Sequence, residues 1–530
     1  MALKTITPEG LVNTNTTGFQ YVPDVAGLAS GGFVVVWDGP DANNNGIFGR
    51  VFGPGYTSTS FQFAVNASTN GSQVMPSAAG LANGGFAVAW TLIFNDGGVY
   101  ARLFNAAGSP LTGDIQLNQY TTGQQEKVEL APLPNGSFVA AWESSGQDGD
   151  SDGIFVRRFS SSGSPLGNEM QVNTYFNSIQ AYPDIASFGD GSFVVTWSSL
   201  NQVSSNSDYD IFAQRFNSSG NKFGPEFQVN TFTSSTQYDP SVATLNDGKF
   251  VFVWSSLGVD GSSYGITGRL YNADGSPATG EFQVNTYTTD VQFQPSVAAL
   301  GDGGYIVTWT SFGQDGSSYG VYAQAYNPDG TREGAEFRVN TYTTSYQADS
   351  AVAHLNGTGV AVAWTSLDQV SDYDVFYKTY AEPVPVWRFY NNANGVHFFT
   401  LSTAERDNVI ATLPSFRFEG SNFAGANGPF ADTAPVYRFY NTQNGAHFYT
   451  INEAEKNNVI ATLPTFLFEG PNYNAYTAPV DGTVPLYRFY NVLTGAHFFT
   501  PNEAERANVV ATLPEFRFEG VAYYVDPING

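Results

Sequence analysis

The sequence of 530 residues contains no cysteine, only three methionines and only four histidines. Without cysteine, disulfide bonds and thiolate metal sites are excluded. Basic residues are also scarce, because 21 lysines and arginines stand against 47 aspartates and glutamates, for a formal net charge of −26. So acidic a chain repels nucleic acid and anionic membrane surfaces, and we expect neither as a partner. Divalent cations and neutral surfaces such as glycans remain open.

Long apolar runs are missing as well, so we expect no membrane insertion. The first residues, MALKTITPEGLVN, lack the apolar core of a signal peptide. We therefore expect one of three explanations: the protein stays inside the cell, it leaves by a route that reads no N-terminal signal, or the sequence has been shortened at its N-terminus. By contrast, aromatic residues make up 15% of the chain and glycines number 56. That composition is typical of a β-rich protein with many turns, and the length predicts more than one domain.

A phrase that ends in tryptophan repeats through the first 380 residues. Its clearest copy is QFQPSVAALGDGGYIVTW, from Gln292 to Trp309. The tryptophans lie 52 to 57 residues apart, at Trp37, Trp90, Trp142, Trp197, Trp254, Trp309 and Trp364. A glutamine stands 17 residues before each one, at Gln20, Gln73, Gln125, Gln180, Gln237, Gln292 and Gln347. We expect the tryptophans to form the core between repeats and the glutamines to tie loops together by hydrogen bonds to the backbone.

Each repeat predicts four short antiparallel strands. In residues 282–337, FQVNT is one strand, SVAAL and YIVTWT flank a GDGG hairpin turn, and YGVYAQAYN follows a long polar loop. Seven such units predict a seven-bladed β-propeller over residues 1–381, with an open solenoid as the alternative architecture. The longest polar loops of every unit fall on one face of a propeller, and we expect function there.

The position of the VNT strands favours a closed ring. One copy precedes the first tryptophan phrase, and none follows the seventh. We therefore expect residues 10–16 to supply the outer strand of the last blade, which would remove two free sheet edges.

Residues 382–530 carry a different repeat with a spacing of 50 residues, in the ranges 386–420, 436–470 and 486–520. Each copy predicts a hairpin from WRFYN or YRFYN to HFFT or HFYT, a short helix that ends before a proline, and a last strand, FRFEG or FLFEG. Three units too small to bury a core alone are expected to pack about a pseudo-threefold axis. A β-trefoil-like arrangement with short helices is one form of this small β-rich domain.

Both repeats resemble known bacterial families. Residues 1–380 resemble the FVVxWxSxGQDG…EFQVNTYTT repeats of large bacterial secreted proteins, which often accompany RTX-type calcium-binding segments. Residues 386–524 resemble the YRFYN–GxHFYT repeat of unknown function found in bacterial secreted proteins. The resemblance implies an extracellular or cell-surface setting with type I secretion, although the chain contains no GGxGxDxxx nonapeptides. Neither family brings a known catalytic residue.

Two kinds of metal site are conceivable. Acidic, glycine-rich loops recur in the propeller region and suit calcium, with the best cluster at Asp148, Asp150 and Asp152 and further candidates at Asp260 and Asp315. The same loops, including 205–210, are also explained by turn chemistry alone. In the C-terminal repeats, three equivalent histidines could form a zinc site, but a structural hydrogen bond within each unit is the favoured interpretation. They are His397, His447 and His497.

Aromatic residues beside polar loops suggest a sugar-binding surface, because a ring face stacks on a sugar and short polar groups bind its hydroxyls. The alternative is that these rings cap the blade core. The candidate ligand-binding residues are Tyr264, Tyr319, Tyr175, Phe232, Tyr287, Tyr342, Gln147 and Gln314.

The sequence shows no nucleophile–base pair, and its loops are close to copies of one another. Since multivalent binding uses repeat symmetry whereas an enzyme site breaks it, we expect a non-enzymatic protein. The first hypothesis is a secreted or cell-surface lectin or adhesin that binds extracellular glycans. The second is a self-associating structural subunit of a surface layer, filament or matrix. The third is a polysaccharide-degrading enzyme that uses paired carboxylates.

Overall fold

The computed structural model describes residues 3–93, 97–203, 208–355, 357, 359–426, 428, 430–480 and 482–528. The chain divides into two compact units. One is Thr7–Tyr380, and the other joins the residues up to Ile6 with those from Ala381 onward. No helix in the described part of the chain has both the length and the apolar character needed to span a bilayer.

The first unit is built from strands alone. In chain order its strands are β1 (Lys4–Leu11), β2 (Tyr21–Gly27), β3 (Phe33–Pro40), β4 (Asn45–Phe52), β5 (Phe63–Ala64), β6 (Ser72–Gly80), β7 (Phe86–Ile93), β8 (Gly98–Phe104), β9 (Ile115–Gln116), β10 (Gln125–Pro132), β11 (Phe138–Ser145), β12 (Asp152–Phe159), β13 (Met170–Gln171), β14 (Gln180–Ser187), β15 (Phe193–Leu200), β16 (Tyr209–Phe216), β17 (Phe227–Gln228), β18 (Gln237–Thr244), β19 (Phe250–Leu257), β20 (Tyr264–Tyr271), β21 (Phe282–Gln283), β22 (Gln292–Ala299), β23 (Tyr305–Phe312), β24 (Tyr319–Tyr326), β25 (Arg332–Arg338), β26 (Gln347–His354), β27 (Gly359–Leu367) and β28 (Tyr373–Ala381).

The described residues of this unit form seven four-stranded antiparallel sheets, which are the blades of a propeller. Blades 1 to 6 are β2–β5, β6–β9, β10–β13, β14–β17, β18–β21 and β22–β25, and blade 7 has the order β1-β28-β27-β26. The first strands of neighbouring blades pack against each other, and β26 returns to β2. The predicted all-β propeller is therefore confirmed. The outer strand of blade 7 is Lys4–Leu11, earlier in the chain than the residues 10–16 that the VNT count predicts.

The repeated tryptophans form the core between blades. Each is at most 2% exposed, because the second strand of a blade is covered on both of its faces. One such core joins Phe138 and Trp142 of blade 3 with Val99 and Leu117 of blade 2. A ring of the third strand stacks on most of these tryptophans, as Phe48 does on Trp37 at 6.3 Å.

Five of the seven repeated glutamines accept a hydrogen bond from an asparagine of the preceding blade, whereas Gln20 and Gln237 accept from Trp37 and Trp254. Asn66, after the outer strand of blade 1, accepts the Ile47 N–H of its own blade at 2.7 Å. Its amide group donates to Gln73 of blade 2 at 2.9 Å, and Gln73 donates to the Asn70 carbonyl at 2.8 Å. The same asparagine-to-glutamine bond recurs between Asn285 and Gln292 at 3.0 Å. These glutamines thus serve the structural role expected of them.

A second set of bonds between blades runs around the outer strands. In each blade a carboxylate or amide of the outer strand accepts a backbone N–H from the turn of the preceding blade. For example, Glu336 accepts from Thr286 at 2.6 Å and Asp114 from Ala67 at 3.0 Å. The acceptors are Gln62, Asp114, Glu169, Glu226, Glu281, Glu336 and Glu9.

The second unit contains three copies of a three-stranded sheet with one helix. Its elements are β29 (Val384–Asn391), β30 (Val396–Thr400), α1 (Thr403–Thr412), β31 (Phe416–Gly425), β32 (Thr433–Asn441), β33 (His447–Thr450), α2 (Glu453–Thr462), β34 (Phe466–Tyr476), β35 (Val484–Asn491), β36 (His497–Thr500), α3 (Glu503–Thr512) and β37 (Phe516–Val525). Ser402, Asn452 and Asn502 cap the three helices, each accepting the N–H of a glutamate three residues later. The second and third copies join through β34 and β37 into one six-stranded sheet.

Ion pairs close a ring around these three copies. Arg388 of the first copy pairs with Glu505 of the third at 3.1 Å. Arg438 pairs with Glu405 and Arg488 with Glu455, both at 2.9 Å. Equivalent residues also meet in a shared core that contains Phe399, Tyr449 and Phe499. The arrangement is therefore pseudo-threefold, and a helix is part of every copy.

Candidate functional site

The first strand of every blade carries a bulge within its first few residues. At this bulge, two positions after the repeated glutamine, the backbone adopts a left-handed conformation, with φ between 49° and 58°. A bulge re-aims a side chain and is frequent beside functional sites. The seven residues are Val22, Met75, Lys127, Tyr182, Asp239, Gln294 and Asp349.

These seven residues line the mouth of the propeller channel, because they sit on the innermost strands. Asp239 interacts electrostatically with both Lys127 of blade 3 and Asp349 of blade 7, so the three side chains face a common space. We call the face onto which this mouth opens the entrance face. The blades differ from one another at the mouth, since these seven positions hold six residue types.

One side of the mouth combines a cation, a carboxylate and an aromatic ring. The Lys127 ammonium lies 3.6 Å from the centre of the Tyr182 ring and 3.0 Å from Glu143 Oε1. Glu143 also accepts the Tyr182 N–H. Burial raises the pKa of Glu143 to about 7, and the pairing with Lys127 offsets only part of that effect. Burial also raises the pKa of Asp239 to about 6.

Deeper in the channel, acidic groups have a structural role. Asp24 accepts the Ala78 N–H of the next blade, and Asp184 accepts the Val242 N–H, both at 2.7 Å. Ser77 makes the equivalent bond to the Leu130 N–H at 3.1 Å. Burial raises the pKa of Asp24 to about 7 and that of Asp184 to about 6. These side chains therefore hold adjacent blades together around an acidic channel.

Aromatic rings extend from the mouth across the entrance face. Four consecutive blades begin their third strand with tyrosine, at Tyr209, Tyr264, Tyr319 and Tyr373. Tyr238 contacts Tyr182 at 6.1 Å and Tyr264 at 5.2 Å between ring centres. Tyr319 contacts Tyr346 at 5.3 Å. The rings form an arc on blades 4 to 7 that reaches blade 1.

Of the ligand-binding residues predicted from sequence, the structure places Tyr264 and Tyr319 in this arc. The Tyr175 hydroxyl instead donates to the Asn201 carbonyl at 3.2 Å, and the Tyr342 hydroxyl donates to the Asp368 carbonyl at 3.1 Å. Phe232 and Tyr287 are half-buried at the matching turns of their blades. All four follow outer strands, away from the channel mouth.

The two predicted glutamines are also engaged within the protein. Gln147 donates to Glu169 at 2.7 Å and Gln314 to Glu336 at 2.5 Å. Each bond holds a loop to the outer strand of its own blade. The amides of Gln147 and Gln314 therefore serve the fold.

The predicted calcium ligands do not converge among the described residues, where no three of them place carboxylate oxygens within 4.8 Å of one another. Asp148, Asp260 and Asp315 instead accept the N–H two residues later, which is turn chemistry. Asp150 accepts the Ser178 N–H at 2.6 Å, and Asp152 begins β12. Residues 204–207 of one further acidic loop lie outside the described residues. Calcium binding itself stays a prediction.

The nitrogens of the three equivalent histidines are not within 4.8 Å of one another either. Each lies 3.4 to 3.5 Å from a glutamate of its own copy, namely Glu419, Glu469 and Glu519. A phenylalanine ring of a neighbouring copy covers each imidazole, as Phe398 covers His447 at 4.8 Å. Burial lowers the pKa of His447 and His497 to about 4. The favoured structural interpretation agrees with this arrangement.

Sequence reasoning missed most of the mouth, namely Lys127, Glu143, Tyr182, Asp239 and Asp349. The available signal was the alignment of the repeats with one another. Two residues after each glutamine the repeats diverge, while the glutamine and tryptophan never change. The SDYD motifs also contain Tyr209 and Tyr373, so they were a signal in the sequence for these two rings.

Comparisons with known proteins bear on both units. A family model described as a domain of unknown function (DUF5648) matches residues 385–526. A comparison with curated protein sequences gives no significant match.

Several solved structures match the chain at low sequence identity. A protein of unknown function from Dyadobacter fermentans is 10% identical, with 72% of this chain and 99% of that one covered at a TM-score of 0.45. The Penicillium chrysogenum α-L-arabinanase, complexed with arabinobiose, is 15% identical over 57% of this chain and 92% of its own, at 0.42. The polysaccharide lyase Uly1 is 8% identical over 71% and 99%, at 0.46.

These neighbours require one correction. Several are glycan-processing enzymes, which contradicts our expectation that the protein is not an enzyme. The expectation rested on loops that copy one another, whereas the residues around the channel mouth break the repeat. At these identities and TM-scores the likeness concerns the fold and carries no activity over to this chain.

Proposed function

We propose that the propeller binds carbohydrate at the channel mouth on the entrance face. The observation that carries this proposal is the meeting of Lys127, Glu143 and Asp239 with the rings of Tyr182 and Tyr238. Three of them, Lys127, Tyr182 and Asp239, occupy the bulge position, where the residue type varies from blade to blade.

The chemistry of this group suits a sugar. The C–H face of a pyranose or furanose stacks on an aromatic ring, while carboxylates and an ammonium group bind its hydroxyls. The Tyr182 ring is 37% exposed, so a ligand can reach it. Tyr264 extends the aromatic surface away from the mouth, which would accommodate further residues of a chain.

A binding experiment with matched variants tests the proposal. The intact protein is titrated with a panel of neutral and acidic polysaccharides, and the best ligand is then measured against Tyr238→Ala and Tyr287→Ala. We expect Tyr238→Ala to weaken binding roughly tenfold or more, because it removes a stacking ring. Tyr287→Ala, at an outer turn, should bind like the wild type. The proposal fails if the folded protein binds no glycan, or if Tyr238→Ala binds normally.

A second candidate function is cleavage of the bound glycan. It is favoured by carboxylates at the mouth with pKa values near neutrality, about 7 for Glu143 and about 6 for Asp239. General acid–base catalysis needs such groups. The test is the release of new chain ends from the polysaccharide that binds best. Glu143→Gln should abolish release and retain binding, and unchanged release would contradict a role for Glu143. An extracellular setting and self-association remain predictions.

A further inference from the structure

A separate pocket lies where the ring closes, between blades 7 and 1. Its volume is about 350 Å³, and it opens on the entrance face. Its lining consists of four aromatic rings, one carboxylate and one hydroxyl, from Phe19, Tyr21, Tyr346, Tyr373, Asp349 and Thr365. Of the described residues that line the pocket, Asp349 alone is charged.

The rings stand as walls and do not form one flat platform. Phe19 meets Tyr373 at 5.5 Å with an angle of 83° between the ring planes. Tyr346 meets Tyr373 at 5.8 Å and 79°. Perpendicular rings enclose a compact, rounded group from several sides, whereas a flat sugar is best matched by a single exposed face. Their combined π surfaces attract a cation.

Asp349 adds a carboxyl group to these walls, and burial raises the pKa of that group. Its backbone is held in the left-handed conformation of the bulge, with φ of 53°, and the nearby Gln294 side chain offsets part of the effect of burial on its pKa. Asp349 is thus positioned by the fold and not by a basic partner. The pocket offers a negative potential inside a protein of net charge −26.

The hydroxyl of Thr365 is a further polar group of the pocket. It is fully buried, and its oxygen has no hydrogen-bond partner among the described residues. In blades 2 and 4 the equivalent hydroxyl accepts the N–H of the next blade's mouth residue, as Thr91 does from Lys127 at 3.0 Å and Ser198 from Asp239 at 3.2 Å. The equivalent hydroxyls of Ser255 and Thr310 lack a partner as Thr365 does. Thr365 lines this pocket, so its oxygen is available to a ligand there.

We propose that this pocket binds a protonated, alkyl-substituted amine. The alkyl groups lie against the rings of Phe19, Tyr346 and Tyr373, and the N–H donates to the Asp349 carboxylate or the Thr365 hydroxyl. Cation–π attraction and a charge-assisted hydrogen bond act together in such a site. This site includes Asp349 of the mouth but none of Lys127, Glu143, Tyr182, Tyr238 and Asp239, which carry the carbohydrate proposal, so variants of the two sites test the two proposals separately.

The test compares a cation with its neutral isostere. The intact protein is titrated by calorimetry with dimethylethanolamine, which is protonated at neutral pH, and with 3-methylbutan-1-ol, which has the same shape without charge. We expect saturable binding of the amine and at least about tenfold weaker binding of the alcohol. Equal affinity for the two, or no saturable binding of the amine by folded protein, would overturn the proposal.

Variants locate the site. Asp349→Asn keeps the shape of the side chain and removes its charge, so amine binding should fall roughly tenfold or more. Asp148→Asn, in a loop of blade 3, is the matched control and should bind like the wild type. Tyr373→Leu is a second variant within the pocket, and it too should lose amine binding. If Asp349→Asn and Tyr373→Leu both bind the amine normally, the amine binds elsewhere and the proposed site is wrong.

Discussion

The Glu9 carboxylate accepts a hydrogen bond from the Thr341 N–H at 2.6 Å, across 332 positions of sequence. The outer strand of every other blade makes an equivalent bond with the blade before it, and Glu9 makes this bond where the ring closes. Glu9 also accepts from Gln369 of its own blade. The N-terminal strand is therefore joined to blade 7 and to blade 6.

Glu9→Ala should consequently destabilise the whole propeller. The contact is exposed to solvent, so we expect a loss of about 1 kcal/mol in the free energy of unfolding. Glu9→Gln is the matched control, because Gln62 fills the same role in blade 1, and it should lose much less. The measurement is chemical denaturation followed by tryptophan fluorescence, which reports on the cores of all seven blades. Equal stability of Glu9→Ala and the wild type would mean that this bond contributes nothing to closure.

The ion-pair ring of the C-terminal unit makes a second prediction. Arg438 joins Glu405 of one copy to Glu469 of its own at 2.9 and 2.8 Å, and its side chain is only 15% exposed. Arg438→Ala leaves two carboxylates without their cation and should cost about 2 kcal/mol. Arg417, 62% exposed and paired with Glu419, is the control, and its replacement by alanine should cost less than about 0.5 kcal/mol. Similar losses for the two variants, measured by denaturation of the full chain, would contradict the ring's importance.

The channel carboxylates predict that stability depends on pH. Burial raises the pKa of Asp24 from 3.8 to about 7, so the folded state holds this proton more tightly than the unfolded state does. Its contribution is complete below about pH 4 and is lost as the pH rises through 7. Above that range the ionised, buried group opposes folding.

Asp24→Asn should therefore stabilise the protein at pH 8 by about 1–2 kcal/mol, after allowance for water in the channel. The asparagine oxygen can still accept the Ala78 N–H. At pH 4.5 the variant and the wild type should be nearly equal. Asp274→Asn, an exposed turn residue whose own hydrogen bonds lower its pKa, should show no gain at pH 8. A wild type whose melting temperature is unaffected by pH between 5 and 8 would refute this account.

Repetition explains which parts of the fold could be predicted from sequence. The tryptophan at Trp309 and the glutamine at Gln292 have equivalents in all seven repeats, always 17 residues apart. Their roles in the core and between blades therefore follow from the pattern itself. The same reasoning found the pseudo-threefold repeat, since three short units cannot bury a core separately.

The candidate site could not be found in that way, for two physical reasons. The bulge that turns Lys127, Tyr182 and Asp239 toward the channel requires a left-handed backbone conformation at one residue. The local sequence does not predict this conformation, because even Val22, a β-branched residue, adopts it. The acidic loops around Asp148 and Asp315 drew attention by composition, yet their carboxylates cap turns. Unusual residues within a repeat were a better guide to the site than frequent ones.

The measurement that tests the central claim most directly is hydrogen–deuterium exchange of the intact protein with and without the polysaccharide that binds best. We predict protection in residues 126–129, 181–184 and 238–241, which form the mouth, and in the segment that begins at Tyr264. The outer turns at 174–178 and 286–290 should exchange as before. Protection confined to those outer turns, or to residues 385–526, would contradict carbohydrate binding at the channel mouth.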